Sequence, residues 1–114
     1  MMFAELAGVD MTEADFYWAM FHEAVLEDAI LAGCDLRGAT FNDANLRRAD
    51  LRGANAVSEL PNWRLTCFRG ADLTDARLAG ARLSGATYDR RTVFPRGFKP
   101  DQAGMMPLIG KLRP

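Results

Sequence analysis

The side chains best suited to nucleophilic catalysis or to holding a transition metal are few. The chain has one histidine, His22, and two cysteines, Cys34 and Cys67. A structural zinc site needs four ligands, usually with paired Cys-x-x-Cys spacing, and this set supplies neither. Ser58, Ser84 and Cys67 are all remote from His22, so no nucleophile has a base near it in the chain. There is no GxxxxGK[ST] phosphate loop and no GxGxxG leading into a helix. Asp10, Asp15, Asp35, Asp50 and Asp72 recur because the sequence around them recurs, and they read as solvated ladder residues rather than metal ligands. His22 reads as a solvated corner residue. The expectation is a protein that is not an enzyme, with no cofactor, no metal and no small-molecule substrate.

What positions these residues is a repeat of five, clearest from Ala24 to Asn55. Its groups open at Ala24, Ala29, Cys34, Ala39, Ala44 and Ala49. A small residue stands first, a large apolar residue third, and the other three places are mostly polar or Gly. Such self-similarity decides the fold before any local propensity does. A helix turns about 100° per residue, so a period of five smears its apolar face around the cylinder. A flat strand alternates with period two, so an odd repeat sends successive groups to opposite faces. Places one and three both point inward only if the chain turns a corner once per group, at places four and five. Four corners close a square coil of about twenty residues, and coils stack about 4.8 Å apart. Gly33, Gly38 and Gly53 stand fifth, where a turn needs positive φ.

The run Ala44-Asn45-Leu46-Arg47-Arg48-Ala49-Asp50-Leu51-Arg52-Gly53 resembles the A-(D/N)-L-x-x signature of the pentapeptide repeat family. That resemblance implies an all-β fold, a right-handed quadrilateral β-helix of about four coils. The frame holds from Ala4 to Ser58, through Leu6, Met11, Phe16 and Phe21. A short helix over residues 13–32 is the competing reading there, because those residues are good helix formers. The frame predicts a β-helix over 1–95, with a register break at 57–60. Glu59 and Leu60 are then two extra residues, and Pro61 opens the next group. Arg91-Thr92-Val93-Phe94-Pro95 completes a last side. Residues 96–114 read as a short irregular or helical C-terminal cap over the open end, with docking of a second copy or a partner as the other use.

This frame predicts columns. Leu6, Leu26, Leu46, Phe68 and Tyr88 share one side, and Phe21, Phe41, Trp63 and Leu83 another. Met11, Leu31, Leu51, Leu73 and Val93 share a third, and Phe16, Leu36, Ala56 and Leu78 the fourth. Outside, Glu27 lies under Arg47 and Asp28 under Arg48.

A chain of 114 residues, 49% apolar, suits one packed domain. No apolar run nears the roughly twenty residues of a membrane span, and no signal peptide opens the chain. With Cys34 pointing in and Cys67 out, two free thiols in a reducing bacterial cytoplasm are expected. The net charge of −1 hides an asymmetry: residues 1–35 carry eight acids and no Lys or Arg.

Function then lies on the surface. Tyr17, Trp18 and Met20 face outward at one edge, Arg37 stacks over Tyr17, Val57 over Arg37, and Leu60 is nearby. Exposed aromatics and Met are enriched at interface centres, so this edge is the candidate partner-binding surface. The bland alternative is an N-terminal segment that folds over and buries the rings. The leading expectation is a scaffold or protein-protein interaction module acting as a monomer or weak end-to-end dimer. The family resemblance adds a DNA-mimic modulator of a type II topoisomerase (gyrase). Direct nucleic-acid binding is a third reading, against which the arginines speak by being spread over all four sides among acids.

Overall fold

The repeating turn comes first. In the computed structural model, which describes residues 4–58 and 65–108, the first-place N–H at the regular corners donates to the C=O of the preceding third place. Ala24 donates to Phe21 at 3.0 Å, Ala29 to Leu26 at 3.0 Å and Ala39 to Leu36 at 3.0 Å. The fifth place takes positive φ, for example 68° at Gly33 and 71° at Gly53. This is a type II turn. Second-place Asp and Asn brace it from outside. The side chain of Asp10 accepts the N–H of Thr12 at 3.0 Å, Asp50 that of Arg52 at 3.1 Å and Asn55 that of Val57 at 3.1 Å. The recurrent aspartates are Asx-turn caps.

Between turns the chain runs straight for about three residues and then returns beside itself. Parallel bridges join Glu5 to Val25, Asp10 to Ile30, Asp15 to Asp35 and Met20 to Thr40, and then Val25 to Asn45 and Ile30 to Asp50. Leu6 donates to the C=O of Val25, and Val25 to that of Ala4, both at 2.8 Å. Among the described residues there is no helix, so residues 13–32 follow the coil. The two regular strands are β1 (Thr87–Tyr88) and β2 (Met106–Pro107), paired in parallel.

The interior is as narrow as the first-place alanines imply. Ala24, Ala29, Ala39 and Ala49 are fully buried, as are Leu26, Leu31, Leu36 and Leu46. Phe21, Phe41 and Phe68 stack in a column with centroids 5.1 and 5.2 Å apart. Cys34 occupies a first place, its Sγ donating to the C=O of Met11 at 3.0 Å, and burial pushes its thiol pKa up. Cys67 stands second, partly exposed, and both thiols are free.

The register departs from the sequence frame at two points. Before the break, stacked partners are 20 residues apart; across it Thr40 pairs with Cys67 and Asn45 with Asp72, 27 apart. The coil is therefore seven residues longer, not two, and the break begins after Ser58, whose N–H still bonds Ser84 at 2.8 Å. Thr66, not Pro61, opens the side above Ala39. Proline has no N–H to donate at a first place. Thr66 instead donates its N–H to Ser58 Oγ at 2.9 Å and its buried hydroxyl to the C=O of Leu36 at 2.9 Å. The columns shift by one group, so Leu73 follows Leu46 and Phe68 follows Phe41. Trp63, assigned to a column from the sequence, lies outside the described residues.

The second departure is one residue long. Asp72 bridges Val93, so Thr92 rather than Arg91 stands first and Val93 is outward, 47% exposed. Phe94 takes the inward place and meets Tyr88 edge-on at 5.3 Å. Arg91 at a small inward place would bury a guanidinium; the wider turn at Asp89 sends it out to Asp43 at 3.0 Å. In the tail, Phe98 and Ala103 pack against the core and Met105 is buried. Among its described residues, 96–108, the tail has no helix: turns carry the chain to β2, which lies beside β1.

Two outcomes test this arrangement. Ala49→Leu should cost about 1–3 kcal/mol by overpacking, whereas outward Arg52→Leu should cost under about 1 kcal/mol, both read by chemical denaturation; equal losses would refute the inward assignment. Hydrogen bonds from Arg37 and Arg52 hold the carboxyls of Asp35 and Asp50 below their usual range. Because the folded pKa is the lower one, this stabilisation is complete above about pH 4 and is lost as pH falls through the folded values. Thermal melts from pH 5 to pH 2 should show a falling Tm, and Asp50→Asn, which keeps the turn-capping oxygen, should flatten that fall.

Candidate partner-binding edge

The edge is built by one turn and the side after it. Tyr17 and Trp18 stand fourth and fifth in the group opened by Ala14, and Met20 stands second in the next. Asp15 caps the turn, accepting the N–H of Tyr17 at 3.0 Å. Below it Phe16 meets Phe21 edge-on at 5.1 Å, which anchors the corner to the core. The Tyr17 and Trp18 rings stack with centroids 5.8 Å apart and planes 24° apart. Tyr17 is 50% exposed, Trp18 43% and Met20 46%.

Trp18 is held in a costly conformation. Its φ is 62°, the left-handed region, which costs a bulky L-residue roughly 1–2 kcal/mol. The other non-glycine residues with positive φ are Glu13, Glu23, Asp28, Asp43, Arg48 and Asp75, all charged. Trp18 is the one large apolar side chain among them.

The next coil completes the edge. The N–H of Trp18 donates to the C=O of Arg37 at 2.9 Å. The Arg37 guanidinium lies 5.3 Å from the Tyr17 ring centroid and pairs with Asp35 at 2.8 Å. Val57 follows Arg37 in the same column, partly buried. Leu60, the sixth candidate, lies outside the described residues. Tyr17, Trp18, Met20 and Arg37 thus form one continuous surface with Val57 at its margin. Sequence reasoning missed Asp15 and Asp35, which fix Tyr17 and Arg37; the signal was an Asp two residues before each of them.

Neighbouring corners carry charge networks. His22, Glu23 and Asp43 bring ligand-type atoms within 4.8 Å of one another. Asp43 is paired with Arg91 at 3.0 Å, so a cation there would have to displace a guanidinium. Arg48 holds both Asp28, at 2.9 Å, and Glu27. Arg47 therefore does not pair with Glu27 as its stacking suggests; it reaches up to Asp72 at 3.2 Å. Among the described residues no helix is long and apolar enough to cross a membrane.

If Trp18 served the fold, replacing it would cost stability. Trp18→Gly instead relieves the left-handed strain, so its Tm should stay within a few degrees of wild type or rise. A loss above about 2 kcal/mol in denaturant titrations would make Trp18 a structural cap.

The repeat has relatives. The family model for pentapeptide repeats matches residues 3–28, 19–55 and 66–87, in 8 copies. A pentapeptide repeat protein from Nostoc Pcc 7120, solved by crystallography, is 32% identical, with a TM-score of 0.80 over 93% of this chain and 82% of that one. HetL, a pentapeptide repeat protein involved in heterocyst differentiation regulation in the same cyanobacterium, is 22% identical with a TM-score of 0.48. The match covers 81% of this chain and 56% of HetL. QnrB1, a plasmid-mediated fluoroquinolone resistance protein, is 20% identical with a TM-score of 0.38, over 93% of this chain and 76% of that one. No curated protein matches the sequence. With the family model matched over more than half of its length and a 32% identical pentapeptide repeat protein aligned along 93% of it, the protein belongs to the pentapeptide repeat family.

Proposed function

We propose that this protein is a non-catalytic scaffold that binds another protein through the corner formed by Tyr17, Trp18 and Met20. In this reading the chain is a right-handed quadrilateral β-helix of about four coils. Residues 96–108 cover its C-terminal end, with Phe98, Ala103 and Met105 laid against the core. It works as a monomer or weak end-to-end dimer in the bacterial cytoplasm, without cofactor or small-molecule substrate.

The observation that supports this reading is Trp18. Trp18 is a half-exposed tryptophan at a left-handed corner where glycine would carry no backbone strain. Strain of this kind is tolerated where an exposed side chain has other work. Tyr, Trp, Met and Arg are the residues enriched at interface cores, and all four meet here on a rigid wall.

Mimicry of duplex DNA toward gyrase, or direct nucleic-acid binding, would need a long surface of one sign. Beyond the first coil the surface instead alternates. Arg48 offsets Glu27 and Asp28, Arg52 offsets Asp50, Arg47 offsets Asp72 and Arg91 offsets Asp43. No observation favours either reading over the scaffold.

With a partner isolated from the native host, Tyr17→Ala combined with Trp18→Ala should weaken binding by at least about 2 kcal/mol, as hot-spot residues do, and leave Tm little changed. Full binding by the double variant, measured by calorimetry, would remove the corner from the interface.

A further inference from the structure

We infer that the segment docking on this corner is arginine-rich and extended, with guanidinium groups stacked on the Tyr17–Trp18 rings and paired with the carboxylates around them. The inference rests on the reading of the corner as a binding site and adds the chemistry of what it binds.

Two independent observations point to arginine. The first is charge. Residues 4–35 carry Glu5, Asp10, Glu13, Asp15, Glu23, Glu27, Asp28 and Asp35 and no Lys or Arg. Later arginines offset Asp35, Glu27 and Asp28. Among the described residues no Lys or Arg comes within ion-pair distance of Glu5, Asp10, Glu13, Asp15 or Glu23, and Glu23 has His22 at 3.9 Å. Asp15 sits in the turn that carries the two rings, and Glu13 and Glu23 stand at the corners on either side. An extended segment advances about 3.3–3.6 Å per residue, so a few residues reach from one corner toward the next.

The second observation is a guanidinium already in place. Arg37 lies 5.3 Å from the Tyr17 ring centroid while Asp35 holds its other side. The corner thus displays on one coil the geometry that a partner's arginine would repeat on the coil next to it: planar cation on ring, carboxylate alongside. Lysine fits this less well. Its ammonium is compact and strongly hydrated, whereas guanidinium stacks flat and bonds carboxylates with two donors. A nucleic acid would meet the carboxylates of Glu13, Asp15 and Glu23 and be repelled.

The test uses fluorescein-labelled nona-arginine, nona-lysine and nona-glutamate with the full chain, read by anisotropy at two salt concentrations. Nona-arginine should bind at least about fivefold more tightly than nona-lysine, and nona-glutamate should not bind. Tyr17→Ala with Trp18→Ala should remove the preference for arginine, leaving the two cationic peptides equal. Asp15→Asn with Glu23→Gln, which keeps the turn cap, should weaken both cationic peptides and reduce their salt dependence. Equal binding of arginine and lysine peptides to the wild-type chain would overturn the inference, as would an arginine preference that survives loss of both rings. A native partner that needs Trp18 but is not displaced by nona-arginine would overturn it too, leaving the corner itself standing as a site. A native partner indifferent to Trp18 would instead bring down the site.

Discussion

Everything in this molecule depends on closing a corner every five residues. The first-place N–H must reach back to the third-place C=O, the fifth place must sit in the left-handed region, and the first place must be small enough to let the next side swing past. Those three demands explain the alanines, the Gly, Asp and Glu at the corners, and the Asp and Asn that brace them. They also explain why the core is one cluster built of stacked columns, joined across a corner where Phe16 meets Phe21. Each side contributes one large side chain to its own column, and Phe21, Phe41 and Phe68 stack within 5.1–5.2 Å because nothing in the interior can shift them sideways. A rigid wall follows from this, since no corner can relax without dragging a ladder of hydrogen bonds with it.

Most of the architecture was legible in the sequence because the period is short and odd. Inward and outward places, the corner glycines and the stacking of Arg37 over Tyr17 follow from counting. Counting fails where chain length per coil changes. The break looked like two residues because Pro61-Asn62-Trp63-Arg64-Leu65 imitates a group, with an aromatic in the large place. It lacks the N–H that Thr66, at the first place, gives to Ser58 Oγ. Likewise Arg91-Thr92-Val93 fits the five-residue frame, but the place it would assign to Arg91 is a buried one. The first departure was readable from proline's missing donor, the second from the cost of burying a guanidinium. The side-chain partners were less legible. Arg48, not Arg47, collects Glu27 and Asp28, because a long side chain reaches more than one neighbour on the adjacent coil.

The candidate edge was found by the reverse logic, from residues that break the pattern of the corners. At the fifth place the sequence uses glycine or a charged residue almost throughout, and Trp18 does neither. The structure adds what the sequence did not display: the flat stack of Tyr17 on Trp18, and the Asp15 and Asp35 carboxylates that hold the two corner segments in position. The acidic first coil and the aromatic corner are the same place.

Pro107 carries a further consequence. On its side of the molecule, each third-place N–H points up the axis: Phe21 donates to Thr40, Phe41 to Cys67 and Phe68 to Thr87, all at 2.7–2.8 Å. Pro107 lies beside Tyr88 in β2 at the same place and has no N–H to offer. The ladder on that side therefore ends chemically at this residue. A growing stack of identical layers is a polymerisation problem in one dimension, and an exposed, unfinished strand is its seed. A single ring-closed nitrogen turns that seed into a terminator.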